Sequence, residues 1–358
     1  MTPRTSVRGS RALVVGGAGF VGSNLVRTLL GRGASSVVVV DNLLSANRTD
    51  VLELPGVTFI RGSIADPSIL DRLTDDFDLA FHLATFHGNQ NSMADPLADH
   101  QNNLVTTLSL YQRLSAFSRL RKVVYASAGC TMARKVYGAA EPTKEDDPIS
   151  LDLDSPYQIS KIVGEMYGNY FHERAGLPVV HARFQNVYGP GEILGAGRWR
   201  GTAATVWRNA TPTFVYRAIA GMPLVLENRG KSSRDFIYVD DIVDGLLRCA
   251  TRGEPGEAYN LASGVETTIR ELAEAINARL PRAAPIELAP RRTWDHSGNR
   301  LGSTVKAERG LGFRARVPLT TGIGRTVRWT QANLPMIEAS IRRHQHRLDA
   351  LAGLDPAR

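Results

Sequence analysis

Tyr157 and Lys161 are the pair in this chain whose types and spacing could move a proton. They stand four apart in the string YQISK over 157–161, which puts both on one face of a helix. A free phenol, with a pKa of about 10, is too weakly acidic to serve as a base at neutral pH. A neighbouring ammonium favours the phenolate, and so does the positive ring of a bound hydride acceptor. Tyr157 could then take a proton from a substrate hydroxyl while hydride leaves the carbon that bears it. Upstream, VVYAS over 123–127 ends in Ser127, with Cys130 and Thr131 just beyond. Cys130 reads as a small buried residue beyond a strand.

A departing hydride needs an acceptor, and the start of the chain supplies a place for one. The apolar run LVV over 13–15 leads into Gly16, Gly19 and Gly22 and then into a helical pattern of Leu25, Val26, Leu29 and Leu30. Strand, glycine turn and helix are the context of a dinucleotide site. The first glycine allows the tight turn, the second lets backbone approach the pyrophosphate, and the third lets helix and strand pack closely. The helix N-terminus offers free N–H groups to the phosphates. A second apolar run, VVVV over 37–40, ends in Asp41. An acid there, about 20 residues past the glycines, accepts the ribose hydroxyls of NAD and repels a 2′-phosphate. Arg48 leaves NADP as the alternative.

The 358 residues are 43% hydrophobic and 22% charged, an ordinary globular composition. Two cysteines give no disulfide framework and suit a reducing cytoplasm. No apolar run is long enough for a membrane span. Arg4, Arg8 and Arg11 precede the first apolar run, but that run carries the glycine turn and reads as a strand rather than a leader. The formal charge of +8 suits phosphates or a nucleotide-linked substrate. The basic residues are dispersed, with no helix-turn-helix and no aromatic–basic platform, so neither nucleic acid nor membrane is expected as a partner. No metal site is read.

Further apolar runs follow at 57–60, 79–83, 123–127 and 177–182, alternating with helical patterns at 97–117 and 156–174. Pro67 opens a shorter helix with Ile69, Leu70 and Leu73 on its inner face. Strand–helix alternation predicts an α/β fold, a doubly wound parallel sheet over 10–185, with ligands outside the carboxyl ends of the strands. Residues 186–334 read as a smaller α+β substrate domain with some chain crossing back to the sheet. In it, 189–201 is a loop too polar and glycine-rich for a core element, with Trp199, Arg200, Trp207 and Arg208 interleaved around it. Residues 214–220 and 268–280 read as helices, 224–226 and 236–239 as strands, and Asp240 as a helix cap. Residues 335–358 read as a peripheral helix with a frayed end.

These pieces together resemble the extended short-chain dehydrogenase/reductase family, the nucleotide-sugar epimerases and dehydratases. The resemblance spans roughly residues 10 to 330. It is carried by GGAGFVG over 16–22, Asp41, HLAT over 82–85, Asn103, YQISK over 157–161, RFQNVYGPG over 183–191, RDFIYVDD over 234–241 and KAERGLGF over 306–313. It implies a bound NAD, held by Gly16, Gly19, Phe20, Val21, Gly22, Asp41, Asn42, Ser63, Ile64, Leu83, Ala84, Thr85 and Asn103, with Tyr157 and Lys161. It implies that Asn186 contacts the nucleotide-sugar and that Arg234 and Arg300 hold its diphosphate. Trp199 and Arg200 join the expected substrate contacts. The helices at 97–117 and 156–174 look like the pair that builds the four-helix bundle of a homodimer.

Three positions depart from the family pattern. Ser63 stands where an acid binds adenine. Ala128 stands where a second hydroxyl assists the tyrosine, leaving Ser127 or Thr131 to replace it. Gly129 and Cys130 stand where 4,6-dehydratases carry an Asp-Glu pair. Cys130 and the string WRG over 199–201 are partly similar to GDP-mannose 3,5-epimerases, which have a cysteine and a Trp-Lys-Gly there; Arg200 keeps its proton and is a poor acid. The expected activity is NAD-dependent epimerisation of a nucleotide-sugar at C4 through a transient 4-keto sugar, in the manner of UDP-glucose or UDP-glucuronate 4-epimerases. The alternatives are 3,5-epimerisation through Cys130, dehydration or decarboxylation, and, in another class, a silent NAD-binding sensor or scaffold.

Overall fold

A computed structural model describes residues 5–46, 50–129, 138–293, 295 and 298–354. In chain order its strands are β1 (Arg11–Val15), β2 (Ser36–Asp41), β3 (Val57–Arg61), β4 (Leu79–His82), β5 (Lys122–Ala128), β6 (Val179–Phe184), β7 (Asn186–Tyr188), β8 (Leu224–Leu226), β9 (Ser233–Tyr238), β10 (Ala258–Leu261), β11 (Glu266–Thr268) and β12 (Ile286–Leu288). A seven-stranded parallel sheet takes the order β3-β2-β1-β4-β5-β6-β10. Successive side chains of a strand point to opposite faces, and here both faces are covered. Ala12, Val14, Val37 and Val39 pack in one layer with Leu25, Val26 and Leu29 of the first helix, Phe20–Gly31. Leu13, Val15, Val38 and Val40 pack in the other with Leu110, Leu114 and Leu73. A sheet buried on both sides needs unbroken apolar runs, which is the pattern that VVVV shows.

β10 was not legible as a strand. It is four residues long, has Asn260 in its middle, and adds the seventh strand beside β6. The other strands form two small sheets, β11-β9-β7 and β12-β8. They pack with Phe214, Leu272 and Ile323 into a third core. The α-helices packed on this core are Ala210–Ile219, Ile269–Asn277 and Leu319–Ala332, the second closed at its start by a Thr268–Glu271 capping box. No helix among the described residues is long and apolar enough to cross a membrane.

Four local expectations are corrected. The helix expected over 97–117 runs from Pro96 to Leu114 and is interrupted by a π-helical turn, His100–Val105. Asp240 does not cap its helix: Val239–Arg252 begins one residue earlier without a side-chain cap. Asp240 and Asp241 lie in its first turn, where the helix end favours negative charge. The segment 189–201, expected outside the core, is largely buried: Glu192, Ile193, Leu194, Ala196 and Arg200 are all at most 5% exposed. Its apolar partners come from the far end of the chain, where one frayed helix was expected and two stand, Leu334–Arg342 and Gln345–Leu354. Ile337 and Ile341 pack on Ile193, Leu194 and Val206, and His344 Nε2 pairs with Gly195 O at 3.1 Å.

Candidate active site

A cavity of about 800 Å³ opens at the carboxyl ends of β1, β2, β4 and β5, with β7, β8 and β9 on its far side. Its near half is a cradle for a phosphate-linked ligand. Gly16 has φ +87° and donates its N–H to Val40 O at 2.8 Å. A Cβ at Gly16 would lie 2.5 Å from Ala84 N, and one at Gly22 would lie 2.1 Å from Gly16 O. Both glycines are therefore demanded by close backbone approach. Gly19 is the N-cap of the first helix and no side chain caps it, so the first-turn N–H groups at Phe20, Val21 and Gly22 face the cavity as donors for an anion.

Asp41 ends β2 on the same wall. Its Oδ2 accepts from Ala18 N at 3.0 Å and its Oδ1 from Leu43 N at 2.8 Å. Burial raises its pKa above the ordinary 3.8, and the two backbone donors pull the other way. Each pinned oxygen retains a lone pair for a ribose hydroxyl. Asn42, Ser63, Ile64, Leu83, Ala84 and Thr85 line the cavity as expected of them. Ser63, in place of an acid, spends its oxygen on Ala65 N at 3.2 Å. The cradle, the uncapped helix and the acid fit a dinucleotide. Asn103 is a correction. It does not line the cavity, whereas its neighbours Asn102 and Thr106 do. Its Oδ1 accepts from Thr85 Oγ1 at 3.0 Å and Phe86 N at 2.7 Å, and its Nδ2 donates to Asp99 Oδ1 at 2.7 Å. Its amide is thus consumed in holding the backbone after β4. Arg48 lies outside the described residues.

Tyr157 and Lys161 both reach the cavity from the helix Pro156–Ala175. Lys161 Nζ donates to Ala126 O at 2.9 Å and lies 5.9 Å from the Tyr157 ring centroid. Burial pulls the lysine down to about 8, with Asp99 and Glu165 opposing. The tyrosine is pushed up to about 12, by burial first and the Asp99 carboxyl second, with the Thr85 hydroxyl pulling it down. The expected phenolate rests on the ammonium and on the positive ring of a bound hydride acceptor together. The ammonium is anchored on a carbonyl, and burial holds the phenol up beside it. Ser127 and Ala128 also line the wall, so the hydroxyl expected at Ala128's place is missing. Thr85, the last residue of HLAT, supplies one near the phenol; it was visible in the sequence, though its reach was not. Cys130 and Thr131 lie outside the described residues.

On the far side, Asn186, Arg234 and Arg300 line the cavity as expected. Trp199 and Arg200 do not. Trp199 packs 5.8 Å from the ring of His344, and Arg200 is 4% exposed with its Nη1 on Ser45 Oγ at 2.9 Å. The second Trp–Arg pair of the same segment, Trp207 and Arg208, lines the cavity in their stead. Residues that sequence reasoning missed join them. The His87 ring meets Tyr157 edge-on at 5.9 Å, and its Nε2 pairs with Asn209 Oδ1 at 3.3 Å. Asn209 Nδ2 donates to Glu192 Oε1. No motif spacing marks His87 or Glu192. Among the described residues no group of three or more His, Cys, Asp or Glu could hold a metal ion.

Glu192 gives a pH prediction. Burial raises its carboxyl from 4.5 to about 7, with Asn209 and Arg208 opposing. The folded chain therefore binds a proton there that the unfolded chain has released, and this contribution to stability is lost as the pH rises from 4.5 through 7. Glu192→Gln cannot ionise. Its stability relative to wild type should rise by about 2–3 kcal/mol between pH 5 and pH 8 in thermal melts. A difference that is constant with pH would contradict the buried placement of this carboxyl.

Comparisons with known proteins converge on one group. The family model for the NAD dependent epimerase/dehydratase family matches residues 12–262. The structure is similar to that of WbmF from Bordetella bronchiseptica, solved in complex with NAD+ and UDP, at 54% identity and a TM-score of 0.87, covering 95% of this chain and 98% of that one. UDP-glucose 4-epimerase of Mycolicibacterium smegmatis is 34% identical over 88% of this chain and 97% of its own length. UDP-glucuronic acid decarboxylase 1 of Arabidopsis thaliana is 31% identical over 88% of this chain and 69% of its own length.

Proposed function

The chain belongs to the NAD dependent epimerase/dehydratase family, and from that premise we propose that it epimerises a nucleotide-sugar at C4 through a transient 4-keto sugar. The observation that carries the reading is the convergence of Tyr157 and Lys161 on the same cavity as Asp41 and the glycine cradle. Bound NAD+ supplies a hydride acceptor that later gives the hydride back, so the cofactor is not consumed. The chain's own task is the proton at O4. Tyr157 takes it as the C4–H bond breaks and returns it when that bond is remade on the opposite face. Lys161 keeps positive charge beside the phenolate, and Thr85 offers it a hydroxyl. Asn186, Arg234 and Arg300 tether the nucleotide diphosphate while the keto sugar turns, a task suited to the fixed donors of a guanidinium.

Gly129 weighs against dehydration. It has no carboxyl where the dehydratases need one, and a Cβ there would lie 2.4 Å from the Gln185 amide, which would have to move to admit a side chain. Pairing with a second copy belongs to the same reading. It is supported by the outward apolar residues Leu97, Ile159, Met166 and Tyr170, which are 50–80% exposed on the helices at 96–99 and 156–175.

The test is incubation with UDP-, GDP-, dTDP- and ADP-sugars in deuterated water, followed by proton NMR. A C4 epimer without deuterium at C3 or C5 is expected. Deuterium at either carbon would replace hydride transfer at C4 by carbon-acid epimerisation and point to Cys130. A stable keto product would make the enzyme a dehydratase or decarboxylase. Silence across the panel with NAD bound would leave the sensor.

A further inference from the structure

Beside the sugar side of the cavity the chain buries Arg200 and half-buries Arg208, with little to neutralise them. Arg208 lines the cavity; Arg200 is 4% exposed and does not reach it. Arg200 Nη1 is held by Ser45 Oγ at 2.9 Å, and Arg208 Nη2 by Ala196 O at 2.8 Å. That leaves Arg200 Nε, Arg200 Nη2 and Arg208 Nε buried without a hydrogen-bond partner. Burial, and then the charge of Arg208, pull Arg200 down to about 9. The acid that acts on Arg208 is Glu192, itself raised to about 7 and so only partly ionised at neutral pH. A buried charge without its counter-charge is strongly destabilising, and an unmade hydrogen bond of a charged donor adds to the cost. A guanidinium pair held in that state is incomplete until an anion arrives.

We infer that Arg208, with the charge of the buried Arg200 behind it, forms an anion subsite that seats a carboxylate on the sugar of the substrate, so that the favoured substrates are nucleotide-linked uronates. The inference rests on the nucleotide-sugar reading above and adds the class of sugar. Placement favours the sugar. The residue after Arg208 is Asn209, which pairs with His87, and His87 lies edge-on to Tyr157. The unpartnered Nε of Arg208, one edge of a planar fork, is a charged donor for a carboxylate oxygen. The other source of the same anionic chemistry is the cofactor pyrophosphate, since both arginines also reach Ser45 in the loop after β2.

The test uses the NAD-loaded protein and calorimetric titration with UDP-glucuronate and UDP-galacturonate against UDP-glucose and UDP-galactose. Wild type should bind the uronates at least about tenfold more tightly. Arg208→Met should erase that preference, and Arg208→Lys, which keeps the charge but not the fork, should retain part of it. NADH affinity, read by fluorescence, should be the same in all three. Equal binding of acidic and neutral sugars by wild type overturns the inference without any variant, so a variant that fails to fold does not decide the matter. Loss of NADH affinity in Arg208→Met, with both sugar classes weakened alike, also overturns it and assigns the arginines to the pyrophosphate. The two readings fail separately. Epimerisation of neutral sugars without uronate preference removes the subsite and leaves the activity, whereas uronate-selective binding without epimerisation removes the activity and leaves the subsite.

Discussion

Replacing Tyr157 by phenylalanine should cut turnover by roughly 10²–10⁴-fold, the range that a positioned acid–base group supplies, while the purified protein retains its bound NAD. The substitution removes one oxygen and little else. The ring keeps its edge contact with His87 and its place beside the Lys161 ammonium, and no part of the Gly16–Gly22–Asp41 cradle depends on the phenol. What disappears is the atom proposed to accept the substrate's proton. Without cofactor that phenol stands at about 12, held there by burial and Asp99. A nicotinamide cation, when bound, would supply the positive charge that favours the phenolate, and proton removal would then be coupled to a loaded site. Steady-state kcat, with NAD content measured by absorbance, checks the prediction. Turnover within tenfold of wild type would place the base elsewhere.

The features legible in the sequence are those written within one turn or one strand. The glycine spacing at 16, 19 and 22, the acid ending β2 and the four-residue step from Tyr157 to Lys161 are local patterns, and the structure brings all of them to one cavity. The illegible features depend on partners far along the chain. Two Trp–Arg pairs, 199–200 and 207–208, look alike in sequence. Both tryptophans pack on the cluster of Ile337 and Ile341, but only Trp199 also meets the ring of His344 and the guanidinium of Arg347. The burial of 189–201 has the same origin, because its apolar partners Ile337 and Ile341 lie well over a hundred residues away. Asn103 does not line the cavity, because the hydrogen bonds that consume its amide come from Thr85, Phe86 and Asp99. β10 carries too short and too polar a run to announce itself, and only its pairing with β6 makes it a strand.

Gly22→Ala should be among the most damaging single methyl groups that can be added to this protein, costing about 3 kcal/mol, the upper end for an overpacked site. The added Cβ would stand 2.1 Å from Gly16 O, 2.8 Å from Gly17 Cα and 2.9 Å from Gly16 C. All three are backbone atoms of the turn, so no side chain can swing aside and the helix Phe20–Gly31 must lift off β1. Lifting it strips Leu25, Val26 and Leu29 from the core they share with Val14 and Val39. It also carries the first-turn N–H groups away from the cavity, so bound NAD should be lost along with thermal stability. Gly31, at the other end of the same helix, provides the control. Its Cβ would meet nothing within 4 Å, and alanine is the better helix former by up to about 1 kcal/mol. Gly31→Ala should therefore leave NAD content unchanged and melt at or slightly above wild type. Melting curves and cofactor absorbance of the two variants, side by side, measure the difference. If Gly22→Ala melted with wild type and kept its NAD, the close approach of turn and helix would be wrong, and with it the reason that the third glycine is there.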